Sequence, residues 1–195
     1  YGEVTINRTR LILFFYKFLN QILLLTLVYQ IISQQKFEKK INDILFLLFS
    51  TIVLFISNFN DSIVSHREIP ILIFFISLWN IINNKKIYVY LIIVGSLSCL
   101  SLIWSLDRGI FLNMLLIVLL IFFILNKNYR YFAFLILSIF LAWIIVYLSF
   151  GHDEFLNFVS NSIWIFSNIE NIYGLIHPTP FGDQMDSSRS GKNII

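Results

Sequence analysis

The stretch IYVYLIIVGSLSCLSLIWSLDRGIFLNMLLIVLLIFFIL, from Ile87 to Leu125, decides the fold of this chain. It holds two apolar runs, Ile87–Ser105 and Gly109–Leu125, and the charged residues between them are Asp107 and Arg108. A helix needs about 20 apolar residues to cross the hydrocarbon core of a bilayer, and roughly 17 suffice. Neither run alternates apolar and polar residues, as a membrane-spanning strand would. The stretch therefore predicts two transmembrane helices joined by a short charged turn.

Apolar runs of this kind recur through residues 1–150. Of the 195 residues, 58% are hydrophobic and only 13% are charged, which leaves too little polar surface for a soluble domain of this size. We therefore predict an all-α fold, a polytopic transmembrane helical bundle of about six membrane helices. The four further runs are Leu11–Ile32, Ile44–Phe59, Ile69–Ile82 and Tyr131–Phe150.

Residues 151–195 differ in character, and we expect them to form an extracytoplasmic segment with an amphipathic helix and a polar tail. Between Phe155 and Ile176, apolar residues recur at helical spacing opposite a face of Asn and Ser. That face carries no Lys or Arg, so attraction to anionic lipid is not its purpose. We expect the helix to lie on the outer surface, and a buried packing helix is the alternative. Because the chain starts at Tyr1 and an apolar stretch resumes at Ile195, we expect it to be a piece of a longer protein.

Lys and Arg residues in the short loops orient the predicted helices. Seven of them follow the first, third and fifth runs, whereas Arg67 and Arg108 follow the second and fourth. The positive-inside rule places the seven in the cytoplasm and the two arginines outside. This orientation would place the N-terminus outside. The basic residues there, Arg8, Arg10 and Lys17, argue against it. With this orientation, most of the polar residues that could take part in catalysis or binding, including all three histidines, lie on the outer face.

Arg108 is the first candidate site residue on that face, because it stands at the N-terminal end of a predicted helix. Backbone N–H groups and the helix dipole attract anions there, and a guanidinium binds phosphate with two-point geometry. Arg108 is therefore a candidate phosphate ligand, with Asp107 beside it in the same site. The alternative is an arginine that extends to the interface and pairs with Asp107.

Two further outer segments place a histidine next to charged residues, His66-Arg67-Glu68 and His152-Asp153-Glu154. Imidazole and carboxylate groups can act as acids or bases, and His66, Arg67, His152 and Asp153 are candidate substrate contacts. Ordinary solvated loop charge is the alternative. The sequence has no close-spaced set of metal ligands, and we predict neither a metal nor a cofactor. The basic residues are scattered rather than gathered on one face, so nucleic acid is not an expected partner.

Small residues form a stripe in the run Ile87–Ser105, where Gly95, Ser98, Ser101 and Ser105 fall on one side. Such residues allow helices to approach closely, and the stripe therefore predicts helix packing rather than a pore. No run carries an ionisable residue near its centre, as ion-driven or proton-driven transporters usually do. This pattern argues against a transporter.

The segment from Ser105 to Leu148 resembles part of the O-antigen ligases and polymerases, in which Ser-x-Ser-Arg-Gly precedes a helix, a short basic turn and another helix. Asp107 stands where that family usually has Ser. The stretch HPTPFGD, His177–Asp183, is similar to the family's His-Pro-x-x-Gly element, with one residue inserted before the glycine. The stretch SSRSG, Ser187–Gly191, offers a second candidate for the Ser-Arg-x-Gly pattern.

The resemblance covers roughly a third of the chain. It implies a metal-independent glycan-transfer protein of the bacterial cytoplasmic membrane, whose partners are membrane lipid and a polyprenyl-diphosphate-linked saccharide at the outer face. It further implies that Arg108 or Arg189 holds the diphosphate and that His177 assists the attack of the acceptor. Two alternatives stay open. One is a non-enzymatic polytopic subunit or a transporter of lipid or polysaccharide, and the other is a membrane anchor of a separate catalytic part.

Overall fold

The computed structural model describes residues 6–35, 37–59, 66–83 and 86–168, with the side chains of residues 6–10, 56–59 and 66 outside the description. Across these ranges the regular secondary structure is entirely helical, which confirms the predicted all-α class. A 3₁₀ turn, His66–Glu68, precedes the third helix. The helices are α1 (Ile6–Ser33), α2 (Lys39–Phe59), α3 (Ile69–Ile82), α4 (Ile87–Trp104), α5 (Leu106–Leu125), α6 (Tyr129–Phe150) and α7 (His152–Ser167).

Four helices of the described ranges are long and apolar enough to cross a membrane. They are α4, α5, α6 and the Leu11–Ser33 part of α1. Helix α3 is apolar but has only 14 residues, fewer than a spanning helix usually needs. Four of the first five residues of α2 are polar or charged, which shortens its apolar part. The expected number of about six spans is therefore not confirmed.

The surface of these helices is apolar. Leu125 is 76% exposed and Leu148 is 73% exposed, and many other large aliphatic and aromatic side chains are similarly uncovered. A soluble protein rarely exposes apolar surface on this scale, whereas lipid tails cover such surface at no cost. The exposed apolar surface and the four long helices together characterise a membrane protein.

The chain divides into two compact units, Tyr1–Ile144 and Ile145–Ile195, and the predicted division at residue 150 stays a prediction. The core of the first unit lies where α3, α4, α5 and the first half of α6 meet. Side chains from all four helices are almost completely buried there: Phe74, Leu91, Val94, Leu112, Leu116 and Leu135.

Helices α4 and α5 form a tight hairpin whose turn is the single extended residue Ser105, at φ −162° and ψ 113°. A Cβ on Gly109 would lie only 2.5 Å from the Cα of Leu102, so the start of α5 packs directly on the backbone of α4. Likewise, a Cβ on Gly95 would lie 2.6 Å from the Cβ of Ser138 in α6. The small-residue stripe of α4 is thus a packing face, as predicted.

The start of α5 corrects one detail of the sequence interpretation. The helix begins at Leu106, three residues before the predicted run, so Asp107 and Arg108 belong to its first turn rather than to a loop. Membrane helices tolerate charged residues at their ends because the side chains reach the interface.

The described part of the second unit ends in the amphipathic helix α7. It begins at His152, directly after Gly151, whose φ of 81° is a backbone conformation that favours glycine. The predicted helix began at Phe155, and its residues beyond Asn168 lie outside the described residues. The half-buried residues of α7 recur at helical spacing: Phe155, Phe158, Val159, Ser162 and Ile165.

Candidate functional site

The structure brings three of the predicted site residues together. Arg67 in the 3₁₀ turn before α3 lies close to Asp107, and Arg108 lies beside Asp107 in the first turn of α5. The start of α3 and the start of α5 therefore lie at the same end of the first unit, as the predicted alternation of helices requires.

The other predicted site residues are placed elsewhere. The backbone of His66 is in the same 3₁₀ turn, but its side chain is outside the description. His152 and Asp153 belong to the second unit. His177 and Arg189 lie outside the described residues, so their predicted catalytic roles stay predictions.

Two ion pairs connect the start of α3 with the start of α5, and we call them the crossed ion pairs. Nη1 of Arg67 lies 3.9 Å from Oδ2 of Asp107, and Nε of Arg108 lies 2.8 Å from Oε1 of Glu68. Each segment contributes one arginine and one carboxylate, so the four charges sum to zero. Glu68 was predicted only as a member of the segment His66-Arg67-Glu68, and its contact with Arg108 was not, because nothing in the sequence shows which carboxylate reaches Arg108.

The two ion pairs differ in burial and geometry. The side chains of Arg67 and Asp107 are 52% and 48% exposed, whereas those of Arg108 and Glu68 are 43% and 23% exposed. Nε of Arg108 is buried, and although it is close to Glu68 it lacks the angular geometry of a hydrogen bond. The contact is therefore a charge contact, and part of the Arg108 side chain faces the surface.

Ser105 and Asp107 complete this end of α5. The hydroxyl of Ser105 donates a hydrogen bond to Oδ1 of Asp107 rather than capping a backbone N–H. A carboxylate in the first turn is favoured by the helix dipole, and a guanidinium there is not. Glu68 offsets this unfavourable position of Arg108, which accounts for an arginine at the start of an apolar helix.

In the second unit, His152 lies beside Tyr147 at the junction of α6 and α7. The hydroxyl of Tyr147 is 3.2 Å from Nδ1 of His152, and the two rings meet edge to face. Asp153 is exposed on the first turn of α7. Within the described residues, no three His, Cys, Asp or Glu side chains are grouped closely enough to hold a metal ion.

A buried polar contact inside the first unit was not predicted from the sequence. The hydroxyl of Ser98 in α4 donates to Oδ1 of Asn113 in α5 at 2.7 Å, and it accepts from Nε1 of Trp143 in α6 at 3.2 Å. Nδ2 of Asn113 donates to the carbonyls of Ser98 and Gly109 at 3.0 and 2.8 Å. We call these bonds the Ser98 network. Its signal in the sequence is a lone Asn within an apolar run.

Comparison with known proteins adds no further assignment: no family model, no curated protein and no solved structure matches this chain.

Proposed function

We propose that this chain is part of a glycan-transfer protein of the bacterial cytoplasmic membrane, similar to the O-antigen ligases and polymerases. Its donor is a polyprenyl-diphosphate-linked saccharide at the outer face of the membrane. The observation that carries the proposal is the meeting of Arg67 and Arg108 at one end of the first unit. Two guanidinium groups from separate segments suit a diphosphate, which presents two neighbouring anionic groups.

The carboxylates of the crossed ion pairs support this role in a specific way. Glu68 lies beside Nε of Arg108, and the Arg108 side chain is partly exposed, so its two other guanidinium nitrogens are free of this contact and can bind an anion. Nη1 of Arg67 lies 3.9 Å from Oδ2 of Asp107, which is longer than a hydrogen bond, so a phosphate can approach this pair without breaking a direct hydrogen bond between its members. A diphosphate at this end of the first unit gains a two-point contact with guanidinium groups.

The chemical step is a transfer of the saccharide to an acceptor hydroxyl. The acceptor oxygen forms a bond to the anomeric carbon, the bond from that carbon to the diphosphate breaks, and the diphosphate leaves with the electron pair. Arg108, or Arg189 by the family resemblance, stabilises the negative charge on the leaving group. His177 takes the proton of the acceptor hydroxyl.

Transfer by membranes that contain the full-length protein tests this proposal. With a labelled polyprenyl-diphosphate oligosaccharide as donor, Arg108→Lys should lower kcat/KM by roughly tenfold to a hundredfold, because Lys keeps the charge but loses the planar fork. Lys40→Arg, the reverse exchange in a predicted cytoplasmic segment, is the matched control and should leave transfer unchanged. Normal transfer by a correctly inserted Arg108→Lys protein, with Arg189→Lys also normal, would contradict diphosphate binding by either arginine.

The proposal also requires the crossed ion pairs to face outward. In a Cys99→Ser background, an impermeant thiol reagent added from outside should label Asp153→Cys, which follows α6, and not Asn128→Cys, which precedes it. The reverse labelling pattern would place the arginines in the cytoplasm and overturn the assignment.

A non-enzymatic membrane subunit or a transporter of lipid or polysaccharide is the second candidate. The crossed ion pairs favour it too, since each guanidinium already faces a carboxylate and so fits a purely structural role. The same transfer assay separates the two functions. Movement of the saccharide with no release of polyprenyl diphosphate supports the second candidate, and release of polyprenyl diphosphate supports the first.

A further inference from the structure

The opposite end of the first unit carries an apolar groove of 430 Å³ between α3, α5 and the starts of α4 and α6. Its walls are aromatic and aliphatic, with Phe74, Phe75 and Leu119 among them. The lining has polar groups at only two residues, Asn128 in the turn before α6 and Tyr131 in the first turn of α6. The groove is thus apolar along its length and polar at one end.

Three exposed basic residues lie next to that polar end in the chain. Lys86 precedes the lining residue Ile87, Lys127 precedes Asn128, and Arg130 precedes Tyr131. The sequence holds no Asp or Glu between residues 69 and 106 or between 108 and 152, so the turns that bear these cations contain no carboxylate. We call the apolar groove together with Lys86, Lys127 and Arg130 the basic groove.

The aromatic rings at the polar end have the character of a membrane interface. The ring of Tyr131 lies 5.9 Å from that of Tyr88 and 5.9 Å from that of Phe123. Tyrosines with lysines beside them are typical of the level of lipid headgroups.

We propose that the basic groove binds an anionic phospholipid. One acyl chain lies along the apolar walls, and the phosphate lies against Lys86, Lys127 and Arg130. Charge complementarity selects this occupant, because the three cations have no acidic neighbour in their turns and anionic lipids are recognised by basic pockets between membrane helices. The groove lies apart from the crossed ion pairs, so this site does not depend on the proposed glycan transfer.

Lipid binding to the purified full-length protein in neutral detergent tests the proposal, with phosphatidylglycerol and phosphatidylcholine of the same chain length as probes. Phosphatidylglycerol should bind more tightly, and Lys127→Gln/Arg130→Gln should weaken its binding by about 30-fold, because each cation near a lipid surface contributes roughly fivefold and the two factors multiply. Lys39→Gln/Lys40→Gln removes two cations from exposed positions outside the groove and should leave binding unchanged.

Dihexanoyl phosphatidylglycerol tests the groove separately from the headgroup, since its chains are too short to fill the apolar walls. It should bind much more weakly than the long-chain lipid. Equal binding of long-chain phosphatidylglycerol and phosphatidylcholine would overturn the role of the cations, and equal binding of short and long chains would overturn the role of the groove. Both of these comparisons use the unsubstituted protein, so they decide the proposal even if the double variant does not fold.

Discussion

The crossed ion pairs and the Ser98 network share the α4–α5 hairpin but contrast in every physical respect. The crossed ion pairs are charged and partly exposed, with side-chain exposures between 23% and 52%. The Ser98 network is neutral, and Ser98 itself is only 3% exposed. Exposed ion pairs contribute little because water and salt screen them, whereas hydrogen bonds between membrane helices are protected from water. The crossed ion pairs, where we propose that a ligand binds, therefore contribute little to stability, whereas the neutral Asn113 stabilises the helix packing.

Gly109 connects the two regions, and its substitution should have the largest effect. In Gly109→Ala the new Cβ would meet the Leu102 backbone at 2.5 Å, so α4 and α5 must separate and both regions are distorted. We expect a loss of about 3 kcal/mol in the free energy of unfolding, measured by titration from neutral detergent into dodecyl sulfate. An unchanged free energy of unfolding in Gly109→Ala would refute the tight packing of the hairpin.

Asn113→Leu tests the Ser98 network alone. Leucine fits the lipid environment but removes the acceptor of the Ser98 hydroxyl and the donor to the Ser98 and Gly109 carbonyls. We expect a loss of about 1 to 2 kcal/mol by the same titration, since one interhelical hydrogen bond contributes about 0.6 kcal/mol and at most about 1.7. Asn126→Leu is a suitable control, because Asn126 directly follows α5 and its amide donates to the carbonyl of Phe122 in that helix rather than to another helix. A stabilised Asn113→Leu protein would show that packing dominates over these bonds.

Trp143→Phe removes a single bond of the same network. The indole N–H lies 3.2 Å from the Ser98 hydroxyl, and phenylalanine keeps an aromatic ring at this position. We expect the free energy of unfolding to fall by about 1 kcal/mol, because the hydrogen bond is lost and the phenylalanine ring is smaller than the indole. A double-mutant cycle with Ser98→Ala isolates the bond, and a coupling energy of zero would exclude it.

Asp107→Asn should have the smallest effect on stability. The carboxylate is about half exposed, and its ion pair with Arg67 is long. We expect a loss of about 0.5 kcal/mol in the free energy of unfolding. This loss should decrease as salt is added, because salt screens both the ion pair and the interaction of the carboxylate with the helix dipole. If Asp107→Asn lost more unfolding free energy than Asn113→Leu, the crossed ion pairs would contribute more to stability than the Ser98 network, contrary to this comparison.

The sequence predicts the helices well, because a chain in lipid must satisfy its backbone hydrogen bonds within each apolar run. The run Ile69–Ile82 and the helix α3 have the same bounds, and α4 ends one residue before its run does. The number of spans is less predictable, since α3 is short and α2 starts with Lys39 and other polar residues.

The candidate site is predicted only in part, because its contacts join segments that are distant in the sequence. Asp107 and Arg108 attract notice as charges between two apolar runs, but Glu68 is about 40 residues away and looks like any loop carboxylate. Asn113 gives a weaker signal than these charged residues, because an uncharged amide within an apolar run does not reveal its partner. Its position four residues after Gly109, on a helix that faces the stripe containing Ser98, is the pattern that indicates such a contact.

The single-residue turn at Ser105 also fixes the relative depth of two helices in the bilayer. Helices α4 and α5 have 18 and 20 residues, and one extended residue adds only about 3.5 Å of chain between them. When both helices span the membrane, the ends that meet at Ser105 therefore lie at the same level, and Asp107 and Arg108 are held at the interface. Lengthening this turn by several residues should accordingly free α5 to shift along its axis relative to α4, which cross-linking between cysteines placed on the two helices would detect.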